Sequence, residues 1–150
     1  MSDWQEQWER VNRYYDRFER MNGGVEAHGE PADYYFDDMW SFFQNCFHLR
    51  DWLKAGHFCP DKIAKSPDAY VNENEFLAIC ADLANATKHM MLTHRPKSGA
   101  EPKRVNRSLA VTGGSPVVTF KAAVKHKANL IDAFQLATHC MAAWREYLPD

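Results

Sequence analysis

The sequence predicts a mainly α fold, a four-helix up-down bundle with a short β-hairpin before the last helix. Two observations carry that prediction. Apolar residues recur at three- and four-residue spacing through four long stretches, each closed by glycine, proline or a polar loop. One pair of β-prone runs flanks Gly113-Gly114-Ser115-Pro116. A length of 150 residues gives room for a single helical domain over residues 1–150.

The first helix is expected from Trp4 to about Met21, with Trp4, Trp8, Val11, Tyr15 and Phe18 on one side. Its other side carries Glu6, Glu9, Arg10, Arg13, Asp16, Arg17 and Arg20, and Gly23-Gly24 ends it. Residues 25–31 connect to a second helix, from about Ala32 to Gly56. There Phe36, Met39, Trp40, Phe43, Phe47 and Leu53 belong to an apolar arc covering roughly half the circumference, as a central helix requires. His57 to Asn72 is expected as a loop, followed by a third helix over about Glu73 to Leu92 and a second loop to about Asn106. Ser108–Thr112 and Val117–Phe120 form the hairpin. The last helix, about Lys127 to Leu148, packs Leu130, Phe134, Ala137, Met141, Trp144 and Leu148.

Composition excludes several classes. Hydrophobic residues at 45% and charged residues at 25% rule out a disordered chain or a collagen-like repeat. A net charge of -2 gives no global field toward nucleic acid, though a local basic site remains open. No signal peptide and no membrane partner are expected, and the cytoplasm is the expected compartment. The aromatic excess, 5 Trp, 6 Tyr and 9 Phe, falls mostly on core-facing stripes, leaving Tyr34, Tyr35 and Trp52 as stacking candidates. Of the 4 cysteines, three lie on apolar helix faces, where a reduced thiol acts as a small hydrophobe. No CxxC pair occurs, so neither a structural zinc site nor a disulfide framework is expected.

The candidate site rests on polar residues in unusual places. On the second helix the polar arc holds Asp37, Ser41, Gln44, Asn45, His48 and Asp51, mostly poor helix formers where Glu, Lys and Arg are routine. On the third, Asp82, Asn85 and His89 share a face with Ala78 and Ala81, and Lys88 stands beside them. Small residues there would admit a ligand or another helix; hydrogen bonds between helices are the plainer alternative. Arg50 falls inside the apolar arc, where a lone cation is costly. It requires an open bundle end, a carboxylate or a bound anion. His57 follows just beyond the helix stop. An Arg and a His at one helix end suit metal-free RNA cleavage, the His moving protons and the Arg neutralising phosphate. Rough antiparallel register puts His48 near Cys80 and Ser41 near Lys88.

An all-helical chain of this size with Arg50-Asp51 followed by His57 resembles the HEPN superfamily of small, often dimeric helical bundles. The resemblance spans roughly residues 30–148. It implies an RNA- or nucleotide-directed domain, in its active form a metal-independent endoribonuclease, in a defence or toxin-antitoxin setting. In that reading Arg50, His57 and His89 are catalytic, and His48, Asp51, Asp82, Asn85 and Lys88 bind. No cofactor or metal is expected, and the expected partners are a second copy of the chain and RNA or nucleotide. A degenerate motif would instead leave a non-catalytic binding member. The competing class is a helical interaction module that self-associates or binds a partner protein. A metal site built from Asp37, His48, Asp82 and His89 is a further option. No phosphate-binding glycine loop and no nucleophile elbow occur.

Overall fold

A computed structural model describes residues 3–26, 33–88, 100–112, 117–126 and 129–149. The first helix, α1 (Asp3–Gly23), holds Asp3 and Glu6 in its first turn and Arg20 in its last, both favourable to the helix dipole. It buries Gln7, Val11, Phe18 and Met21. At Gly24 φ is 115° and the N–H donates to the Arg20 carbonyl at 2.9 Å. Only a residue without a Cβ closes a helix this way cheaply.

The second helix, α2 (Asp33–Ala55), spans almost the expected residues. Its apolar arc is buried from Phe36 through Leu53. The helix ends at Ala55, directly before the expected glycine, although the left-handed residue is the one after that glycine. His57 adopts the left-handed region (φ 53°) and donates its N–H to the Lys54 carbonyl at 3.0 Å. The Phe58 N–H donates to the Leu53 carbonyl, also at 3.0 Å. This paired closure is a Schellman end with histidine where glycine is usual, and it turns Phe58 onto the core.

The expected loop from His57 to Asn72 contains a further helix, α3 (Pro67–Glu73). Ser66 accepts the Ala69 N–H on its Oγ at 3.2 Å and Pro67 fills the first helical position. Asn74 then ends one helix and starts the next. Its N–H donates to the Tyr70 carbonyl, while its Oδ1 accepts the N–H groups of Phe76 and Leu77, all at 3.0 Å. The following helix, α4 (Glu75–Lys88), is buried from Leu77 to Ala84 on every side. Residues 89–92 of the expected third helix lie outside the described residues.

Four strands follow or precede: β1 (Val25–Glu26), β2 (Ala100–Thr112), β3 (Val117–His126) and β4 (Asn129–Asp132). β3 pairs antiparallel with β2 along one edge, and with β1 and β4 at the two ends of the other. The hairpin before the last helix is therefore present, with both strands longer than the sequence pattern implied; its connecting residues 113–116 lie outside the described ones. Phe120, Ala122 and Val124 are buried while Lys121 between them is exposed, the period of two that fastens one face of β3 onto the helices. The last helix begins later than expected. Residues 129–132 extend β3's ladder, and the Asp132 Oδ2 accepts the Gln135 N–H at 2.9 Å to start α5 (Ala133–Tyr147). Leu130, expected on the packed face, is consequently 60% exposed.

Side-chain contacts set the relative directions. Gln7 donates to the Asn45 carbonyl (2.9 Å) and Arg17 pairs with Asp38 (2.7 Å), so α1 and α2 run antiparallel. Cys80 reaches the Phe43 carbonyl while Asp68 reaches Arg50, so the chain through α3 and α4 runs back along α2. Phe18 lies at the centre of the aromatic core, with ring centroids 5.4–6.4 Å from Phe42, Phe43, Phe120 and Phe134. Among the described residues no helix is long and apolar enough to cross a membrane.

Candidate functional site

Arg50 resolves its own anomaly. Its side chain is 20% exposed, and it is paired with Asp51 at 3.0 Å and Asp68 at 3.4 Å. Its guanidinium lies 4.3 Å over the Phe47 ring. Lys54 takes the other oxygen of Asp68 at 2.9 Å. Of the three requirements read from the sequence, the carboxylate is met, and it comes from the first turn of the short helix the sequence reading missed. Two cations and two carboxylates balance, so this group carries no net charge to offer a ligand.

The other named residues are dispersed. His48 is exposed on α2, Asp51 is exposed beside Arg50, and His57 is exposed at the cap beyond the helix. Asp82 is buried and engaged in an interaction, and Asn85 is half-buried. His89 and the side chain of Lys88 lie outside the described residues. Cys46 and Cys80 sit at one level, with Arg50 one turn to one side and Asn85 further along to the other. At ~1.5 Å of rise per residue, Arg50 and Asn85 are about 13 Å apart along the helices. They do not line one cleft. The polar strip of α2 has a structural use: Asn45 accepts from the buried Gln7 of α1 and donates to the Ser41 carbonyl at 2.8 Å. Ala78 and Ala81 are buried as well, so the close approach they permit is made within the chain.

Two groupings emerge that single-helix patterns did not single out. The first is on α1, where Arg10, Arg13, Arg17 and Arg20 fall within an arc of about 80° on the exposed side. With Tyr14 and Asp16 they line an open groove of ≈ 330 Å³. Arg17 pairs with Asp38 and lies 5.3 Å over Tyr14; Arg10 is 3.8 Å from Glu6; Arg20 donates to the Asp16 carbonyl at 3.4 Å. No ion pair holds Arg13 among the described residues.

The second is in the core. Cys46 of α2, Cys80 of α4 and Cys140 of α5 are each 0% exposed, and their sulfurs lie within 4.8 Å of one another. The Cys80 thiol is 3.3 Å from the Phe43 carbonyl and the Cys140 thiol 3.5 Å from that of Phe76. Trp144 Nε1 donates to the Cys46 carbonyl at 3.1 Å. Burial raises the pKa of Cys46, but hydrogen bonds from Cys140, Cys80 and Trp144 outweigh it and bring that thiol down to about 5. Burial and the neighbouring sulfurs push Cys80 and Cys140 well up. The register already put His48 near Cys80, hence Cys46 close to the same level; reading each cysteine alone as a small hydrophobe hid their convergence.

Comparison with protein-family models, with curated proteins and with solved structures finds no match for this chain.

Proposed function

We propose that the chain is a helical domain that binds RNA or nucleotide phosphate, HEPN-like in build, with the arginine face of α1 as its contact surface. The observation that carries this reading is the row Arg10, Arg13, Arg17 and Arg20 around one open groove beside the Tyr14 ring. The row extends about 15 Å along the helix, enough for several successive phosphates. Arginine matches phosphate oxygens in bidentate fashion, and a tyrosine face gives an unpaired base a stacking surface. The exposed pair with Glu6 is weak competition, because solvent-exposed ion pairs contribute little. The scaffold in this reading is an up-down arrangement of α1, α2, α4 and α5, supported by the contacts of Gln7 with Asn45 and Arg17 with Asp38, and of Tyr15 with Thr138 and Phe18 with Phe134. Binding rather than cleavage is proposed, since Arg50 is occupied by Asp51 and Asp68.

Fluorescence anisotropy with labelled single-stranded and hairpin RNA at about 50 mM salt tests this, because phosphate binding weakens steeply as salt rises. Arg13→Glu with Arg20→Glu is expected to weaken binding at least tenfold and to flatten the salt dependence. Absence of binding by the wild type, or equal binding by the variant, overturns it. Cleavage of the same RNAs that disappears in His57→Ala or His89→Ala would restore the catalytic reading.

A second reading, self-association, is favoured by β2, whose other edge pairs with no strand among the described residues. Light scattering on the eluting protein decides: a dimer supports it and a monomer removes it.

A further inference from the structure

We propose that Cys46, Cys80 and Cys140 form a three-sulfur site for a thiophilic ion that needs no fourth donor. Three helices each contribute one sulfur to the same point of the core, and the sulfurs already lie within 4.8 Å of one another. Bonds of about 2.3 Å to a central ion put three coplanar sulfurs about 4.0 Å apart. The site therefore closes on an ion with shifts of a few tenths of an ångström in side chains that have rotamer freedom but no exposed surface.

The surroundings select the kind of ion. A structural zinc site is tetrahedral and takes four ligands, and a catalytic one fills its fourth place with water. Here all three cysteines are 0% exposed, and no fourth cysteine, histidine or carboxylate joins the group among the described residues. Hard cations prefer oxygen ligands, whereas thiolates select soft ions. Charge narrows the choice again, because an unbalanced charge in this apolar core is costly. Arsenite balances fully: As(OH)₃ and three thiols give a neutral As(SR)₃ and three waters, with three As–S bonds formed, three As–O bonds broken and no change of oxidation state. Cu(I) also takes three thiolates, releasing three protons, but leaves two negative charges in the core, so it stands second to arsenite. Both ions share the chemistry of three sulfurs around a soft centre. Since the sulfurs are sealed, loading occurs when the helices part, most readily during folding.

The experiment uses the Cys59→Ser chain, which removes the exposed thiol and keeps the buried three. The reduced protein is refolded with Cu(I), with arsenite or with Zn(II), freed of excess ion and weighed by native mass spectrometry. Thermal unfolding follows, and X-ray absorption reads the ligand shell. Expected are one Cu(I) or one As(III) per chain, a raised Tm with that ion, three sulfur neighbours in its shell, and zinc held far more weakly. For arsenic the mass rises by one As less three hydrogens; for copper an ultraviolet sulfur-to-metal band appears, so the two arms separate the sources. Cys140→Ala is expected to lower affinity by more than about 100-fold, because losing a ligand costs at least as much as losing a ligand's support. Should that variant fail to fold by circular dichroism, the sulfur count in the parent decides. Failure of both ions to bind one per chain, fewer than three sulfurs around the bound ion, or zinc held as tightly as either, overturns the proposal.

Discussion

The Arg50 group and the cysteine trio answer opposite questions about one helix, α2. Arg50 looked functional because a cation stood in an apolar arc, and its neighbours answer it: Asp51 at 3.0 Å and the Phe47 face at 4.3 Å on its own helix, and Asp68 at 3.4 Å from α3. The cysteines looked inert because each stood where a small hydrophobe belongs, and their tertiary neighbours are one another. A polar group misplaced along a helix is often repaired by another helix. An apolar-looking group acquires chemistry only through another helix. Neither outcome is visible from the period of a single segment.

The contrast is broken most forcefully at Trp144, which is fully buried behind the trio and donates to the Cys46 carbonyl. Trp144→Ala should cost about 3–5 kcal/mol in urea unfolding. Trp144→Phe retains most of the packing and should cost about 0.5–1.5 kcal/mol for the lost hydrogen bond. Equal losses in the two variants would mean that the hydrogen bond, not the ring volume, holds this part of the core.

Alkali should act next, from the rim of the same core. Burial first, then Cys59 and Tyr70 nearby, push the Tyr147 phenol up to about 12. A raised phenol binds its proton more tightly when folded. Its contribution is therefore complete below the ordinary tyrosine pKa of about 10 and is lost as pH climbs toward the folded value. The urea midpoint should fall steeply across that interval in the wild type and less steeply in Tyr147→Phe. Identical slopes would show that this phenol does not govern the alkaline limit.

How much of this was legible in sequence follows from the same contrast. Periodicity found α1, α2 and the hairpin because each is amphipathic or flanked by glycine. It missed α3, although Ser66-Pro67-Asp68 is a helix-start signature, because seven residues are too few to display a period. It ran α5 back to Lys127 because Leu130 and Ile131 continue the apolar spacing, whereas the Asp132 cap and the ladder with β3 decide otherwise. In the candidate sites, residue types were readable and meetings were not. Asp68 lay in an expected loop and so could not be matched to Arg50. The four arginines of α1 stand among acidic residues on the charged side of the helix, and only the groove beside them sets them apart.

A smaller effect sharpens the rim side. Asp68→Ala removes the carboxylate shared by Arg50 and Lys54, which should cost about 1 kcal/mol, since the pair is partly solvated. In a double-mutant cycle with Arg50→Met most of that loss should vanish, because Met restores the apolar arc without a charge. Additive losses would place Asp68's contribution with Lys54 instead.

The smallest expected effect has the opposite sign. His57 holds a left-handed conformation at φ 53° to close α2, a position that strains a residue bearing a Cβ. Its N–H and that of Phe58 make the closing bonds, so the backbone rather than the imidazole does the capping. His57→Gly keeps both bonds and relieves the strain, and should stabilise the protein by about 0.5–1 kcal/mol, offset in part by the greater freedom of glycine when unfolded. A rise in the urea midpoint would mean that histidine is kept at this cap at a cost in stability. Strained positions of that kind gather at functional sites, so a rise accompanied by lost RNA binding or cleavage would return His57 to the candidate site. A fall in stability would show instead that the imidazole makes a contact worth more than the strain it imposes.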